Sequence, residues 1–251
     1  MPIIIDVPGL ASSAVDWPVV PSVPASFPLD GLVSYLAIQN APLNGDGRVA
    51  ALNRFIGADN LVQNINNRAP TIEPINGQDT LRYTPGVGDR LVAAGGSWNW
   101  GAATGLTFLF PVRVNAVSGV KVMLNAGGFR LRLNEAGGVN QLQVRKAISG
   151  GVFSTDTSAF DFTSFCVLGV TFDDAANNVR VYRNGVLTRD STALDWGSVA
   201  PTGTPVWGAE FDNGSNAPDA NYGDFIRYDR ALSGGEMTAA SAYLMNRFGI
   251  S

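Results

Sequence analysis

The chain contains no histidine. That removes Ser-His-Asp and Cys-His nucleophilic catalysis, histidine zinc sites and the usual general base near neutral pH. Acid–base work would fall to carboxylates. Glycoside hydrolysis needs two of them facing one bond, one protonated and one ionised. The four glutamates, Glu73, Glu135, Glu210 and Glu236, are dispersed. Only Glu210-Phe211-Asp212 sets two acids at strand spacing, and no second glutamate follows. The expectation is a protein that is not an enzyme.

Other groups suggest binding. The stretch from Asp212 to Asp224 gathers Asp212, Asp219 and Asp224 with Asn213, Asn216 and Asn221. Oxygen-rich loops of this kind bind calcium. The same residues populate turns with no metal present, so both readings stand and no other cofactor is expected. Asp173-Asp174 reads as an ordinary turn. Trp98 and Trp100 share one strand face if the segment is extended. They are either a platform for stacking sugar rings or part of the core; Trp196 and Trp207 read as core. The single cysteine, Cys166, lies in the apolar run Phe165-Cys166-Val167-Leu168 and reads as a small buried filler. No internal disulfide can form. Fifteen arginines against two lysines hint at assembly, because guanidinium groups are favoured at interfaces.

These residues need elements to position them. The 251 residues carry 15% charged side chains and 29 glycines, a mixture that favours short strands and tight turns. Apolar runs suggest strands over 31–39, 80–84, 90–94, 106–114, 120–124, 129–133, 141–145, 165–172, 179–183, 186–189, 205–211 and 222–228, with one helical turn near 48–56. Pro111 within its run predicts an edge or a bulge. The nearly unbroken apolar stretch ending at Phe172 predicts a central strand. Asn184-Gly185 between two strands is a hairpin signal, since both turn positions need positive φ. Ser233-Gly234-Gly235-Glu236 fits a capping box, the apolar residues from Met237 to Phe248 keep near-helical spacing, and Gly249 supplies the stop. Together these predict an all-β, two-sheet antiparallel sandwich with a short C-terminal helix.

Residues 1–30 differ. Six of the 14 prolines fall here, among apolar side chains. Proline excludes helix and favours an extended path. The segment is expected to be an arm lying on a surface, either its own domain (31–251) or a neighbouring subunit. Ile3, Ile4, Ile5, Val19, Val20 and Phe27 are its expected docking residues.

Two stretches carry a resemblance. Val170-Thr171-Phe172-Asp173-Asp174 leading to Val181-Tyr182-Arg183-Asn184-Gly185 resembles the strand, acidic turn and Y-x-N-G hairpin of LamG-like, concanavalin A-like jelly-roll domains. Tyr228-Asp229-Arg230-Ala231-Leu232-Ser233, running on to Glu236, is similar to their closing corner and helix. Asn76-Gly77 with Leu81-Arg82-Tyr83 is similar to the entry strand of bacterial and phage members. The resemblance implies a jelly roll. It also suggests a non-enzymatic structural protein of a tailed-phage virion, such as a capsid decoration, head-fibre or tail component. That protein would dock by its arm onto other virion proteins, as a homo-oligomer on the particle. The alternative is a lectin-like module binding a host-surface glycan. The N-terminal residues lack a basic leader pattern, which suggests folding in the host cytoplasm. With net charge −4 and no basic block, neither nucleic acid nor a membrane is an expected partner.

Overall fold

Alternation of side chains decides which residues pair. A computed structural model describes residues 23–39, 41–56, 61–63, 68–93, 105–116, 119–126, 129–136, 139–148, 151–157, 162–173, 175–176, 178–191, 204–209 and 216–251. The strands are, in chain order, β1 (Leu32–Ala37), β2 (Asn53–Ile56), β3 (Leu61–Val62), β4 (Thr71–Ile75), β5 (Gln78–Tyr83), β6 (Leu91–Ala93), β7 (Gly105–Ala116), β8 (Lys121–Ala126) and β9 (Phe129–Ala136). Then come β10 (Val139–Ile148), β11 (Gly151–Thr157), β12 (Cys166–Asp173), β13 (Asn178–Arg183), β14 (Val186–Ser191), β15 (Val206–Trp207), β16 (Asp219–Tyr222) and β17 (Phe225–Tyr228). One helix, α1 (Gly234–Phe248), follows.

The strands form two antiparallel sheets. The larger runs β14-β13-β12-β7-β16-β5-β4, and β17 joins β7 to β1 and β2. The smaller runs β11-β10-β9-β8-β15-β6-β3. Between them lies one core. Leu106, Phe108, Phe110, Val112 and Val114 of β7 meet Met123, Leu131, Leu133 and Leu142 from the other sheet, and Phe129 touches Phe172 with ring centroids 4.3 Å apart. Trp207 is fully buried, with the rings of Phe225, Tyr222 and Phe110 at 5.1, 5.4 and 6.0 Å. Cys166 is buried in the same core. The expected sandwich is what the chain forms.

The hairpin and helix signals are local, and both hold. Asn184 and Gly185 take φ of 52° and 78°, the left-handed region that a two-residue hairpin demands. Ser233 caps α1 and forms a full capping box with Glu236. The chain leaves the helix through Gly249 in a left-handed conformation. As expected, β12 is interior, between β13 and β7.

Four local expectations are corrected. The helical turn near 48–56 is instead extended: β2 occupies Asn53–Ile56, and Val49 and Ala51 make isolated bridges. Buried Val49 and Leu52 are drawn into the sandwich, and this tertiary gain overrides weak local preference. Of the strand expected over 205–211, only the pair Val206–Trp207 is a strand among the described residues. Pro111 lies on no edge, since β7 has neighbours on both sides. The single strand expected over 222–228 explains why: it breaks at Gly223-Asp224, opposite Pro111. Gly223 N–H donates to the Pro111 carbonyl at 2.8 Å, so the N–H that proline lacks would face this same gap. A Cβ on Gly223 would lie 2.6 Å from the Pro111 ring, so only glycine fits there.

Candidate functional site

The break between β16 and β17 also turns Asp224 inward. Its carboxylate is fully buried beneath α1. One oxygen accepts from the Ile38 N–H at 3.0 Å; the other accepts from the Tyr35 hydroxyl at 2.9 Å and from Arg247 Nε at 2.6 Å. Burial pushes this carboxyl above its ordinary range, while Arg247 and the hydrogen bonds pull it back. Tyr243 completes the cluster, its hydroxyl 3.0 Å from that of Tyr35. Asp224 therefore anchors the helix to the sheet.

This bears on the calcium expectation. Asp219 forms an ion pair with Arg82 at 2.6 Å and accepts from Asn115 at 3.0 Å. The two described members of the expected triad are thus each committed to a different arginine, and Asp212 lies outside the described residues. Among the described residues no three carboxylate or thiol groups come together to hold a metal. The described part of the acid-rich stretch, residues 216–224, is used as a strand, a break and a helix anchor. Asp173 behaves as the ordinary turn it was expected to be, accepting from the Ala176 N–H at 3.0 Å. Trp98, Trp100, Trp196 and Glu210 lie outside the described residues.

The arm expectation changes at Phe27. Its ring is 4% exposed and stands edge-on to Tyr243 of α1 at 5.0 Å. The Pro28 carbonyl accepts from the Tyr228 hydroxyl at 3.0 Å. Phe27 therefore docks on its own domain, because the helix surface beside it is apolar. Ile3, Ile4, Ile5, Val19 and Val20 lie outside the described residues.

Beyond the helix, the outward face of the large sheet carries a polar ladder. Arg82 on β5 pairs with Glu73 on β4 at 3.2 Å and with Asp219 on β16. Asn221 donates to Glu73 at 3.0 Å and accepts from Asn115 at 3.1 Å and from Arg113 at 3.3 Å. Alternation explains the ladder: Leu81, Tyr83, Val112 and Tyr222, between these residues, point into the core.

At Arg113 the ladder runs into an open groove of about 700 Å³. Its walls are the β4–β5 turn at Asn76, the end of α1 at Gly249 and Ile250, the Thr163-Ser164-Phe165 segment, and the hairpin at Arg183 and Asn184. The volume is that of small-ligand clefts, about 300–1,000 Å³. Internal hydrogen bonds set its shape. Asn76 Nδ2 donates to the carbonyls of Phe248 and Gly249 at 3.1 and 2.9 Å, tying the helix end to the turn. Asn184 accepts from the Val167 N–H at 2.8 Å. The Phe165 ring stands edge-on to Phe248 at 6.0 Å. The groove's residues were not singled out as a site in the sequence, because they come from five separate segments. Its only signal there was the surplus of arginine.

No family model matches the chain, and no curated protein does. Solved structures do. The binding domain of Paraclostridial Mosquitocidal Protein 1 aligns with a TM-score of 0.64 at 16% identity, over 86% of this chain and 53% of that one. A botulinum neurotoxin type C structure, whose cell entry depends on two ganglioside molecules, aligns at 0.63 and 14%, over 86% and 51%. Trypanosoma rangeli sialidase aligns at 0.58 and 18%, over 91% and 35%. This chain thus spans about half the length of the first two. At these identities the similarity is one of fold alone, a two-sheet jelly-roll sandwich.

Proposed function

We propose that this chain is a non-catalytic glycan-binding module whose ligand lies in the groove beside Arg113. The groove carries the reading: it is preformed, open and lined by guanidinium, amide and hydroxyl groups, with the Phe165 ring on one side. Sugars are held by such planar hydrogen-bonding groups and by contact with aromatic surface. The receptor-binding and ganglioside-dependent neighbours support this reading over the virion-docking one. Docking on a particle loses Phe27 as an anchor. Binding without cleavage is supported by the carboxylates themselves. Glu73, Asp219, Asp224 and Glu236 are each held by an arginine, whereas hydrolysis needs one carboxyl protonated against a partner.

The test is a glycan panel applied to the full chain and to Ser164→Trp. Ser164 is exposed at the groove wall, so an indole there fills the groove without touching the core. Binding by the parent and its loss in the variant, with unchanged melting temperature, is the expected result. Binding that survives the indole unchanged, or no binding to any member of the panel, overturns the reading.

A further inference from the structure

The groove offers two guanidinium groups, Arg113 on β7 and Arg183 on β13, and no acidic side chain lines it. The chain as a whole carries net charge −4, whereas the side chains lining this recess, with Ser251 at its wall, include two guanidinium groups and no carboxylate. Arg113 is loosely held. It lies 3.3 Å from Asn221 and 3.9 Å from Glu73. Glu73 is closer to Arg82, at 3.2 Å. About a third of the Arg113 side chain is open to solvent, 31%. A guanidinium carries five N–H donors in a fixed plane, more than these contacts use. One atom of each lining amide is already engaged internally, Asn76 Nδ2 with the helix-end carbonyls and Asn184 Oδ1 with the Val167 N–H. What faces the opening is chemistry suited to a planar anion. Guanidinium and carboxylate pair through parallel, charge-assisted hydrogen bonds.

We propose that the groove selects an acidic sugar, holding a sugar-borne carboxylate with Arg113 and Arg183. This rests on the glycan-binding reading and names its ligand class. The carboxylate could come from a hexuronate or from a nonulosonate, so the experiment uses both. The full chain is titrated calorimetrically with an oligogalacturonide and with sialyllactose, each matched against its methyl ester, which keeps the skeleton and removes the charge. Neutral oligosaccharides are run beside them.

In at least one pair the acid is expected to bind about tenfold more tightly than the ester, the size of a charge-assisted hydrogen bond. That preference is expected to shrink as salt rises, since exposed charges are screened. In the Arg113→Gln, Arg183→Gln double variant it is expected to vanish, so that acid and ester bind with equal affinity. If the double variant does not fold, the salt series on the parent chain decides, and an affinity indifferent to salt overturns the proposal. Equal affinity for acid and ester in both pairs overturns the carboxylate assignment and leaves the glycan reading standing. So does binding confined to the neutral sugars. No binding to any of them overturns both.

Discussion

Strand β7 runs beneath two different surroundings. Its outward residues Thr107 and Leu109 are buried under α1, whereas Arg113 is partly exposed and Asn115 exposed. Pro111 and the break at Gly223 mark the border. Under the helix the sheet face is apolar, with Tyr35, Ala37, Leu109, Val167 and Ile226 packed against Met237, Ala240 and Leu244. Thr107 and Asp224, polar groups admitted there, are matched: Thr107 Oγ1 donates to the Arg230 carbonyl at 2.8 Å and accepts from the Leu232 N–H at 3.0 Å, and Asp224 meets Arg247. A buried charge without a partner is expensive, so each is pinned. Beyond the border the charges form a ladder that water reaches. They are replaceable one at a time, and can exchange an internal partner for a ligand. The covered half therefore supports the fold, and the open half is where the proposed groove lies.

Removing Asp224 tests this contrast most severely. Asp224→Ala leaves the Arg247 guanidinium and the Tyr35 hydroxyl without their acceptor under the helix. It is expected to cost about 3–5 kcal/mol in urea unfolding, the usual penalty for halving a buried pair. A loss below about 1 kcal/mol, the scale of surface pairs, would show that Arg247 simply reaches water and that the covered half is not dry.

The rim of that half is sharper in its pH dependence. Ser233→Ala removes the helix cap, and about 1 kcal/mol is expected to go with it. Glu236, held by Arg230 and by the Ser233 N–H and hydroxyl, is lowered from its ordinary value of 4.5 to about 2. The folded value lies below the unfolded one, so the ionised carboxylate stabilises the fold above about 4.5, and that contribution is lost as pH falls towards about 2. Comparison of the parent chain with Glu236→Gln across this window is expected to show a stability difference at neutral pH that closes in acid. A difference that stays constant with pH would mean the carboxylate acts through shape alone.

In the open half the smallest effect is expected. Arg82 touches both Glu73 and Asp219, yet Arg82→Gln is expected to change stability by less than about 1 kcal/mol, because solvent-accessible ion pairs contribute little. A loss above about 2 kcal/mol, outside that surface range, would make the ladder a second structural anchor and remove the contrast.

Much of the fold was legible in the sequence because its signals are short-range. Asn184-Gly185 needs only its own backbone to prefer a tight hairpin turn. Ser233 and Glu236 satisfy donors three residues apart. The run from Cys166 to Phe172 announces a strand buried on both faces through composition alone. The acidic stretch from Asp212 to Asp224 was ambiguous for the opposite reason. A carboxylate's role depends on which cation reaches it, and the cations come from Arg82 and Arg247, on distant parts of the chain.

Local sequence thus determined the turns, the helix with both its ends and the apolar periodicity that makes a sandwich. Tertiary structure alone decided that Asp224 anchors the helix. It also decided that Phe27 packs on its own helix, and that Arg113 and Arg183 line one groove. The division has one physical cause. Backbone preferences and caps act between residues a few positions apart, whereas burial, desolvation and charge pairing depend on neighbours that only the closed fold brings within reach.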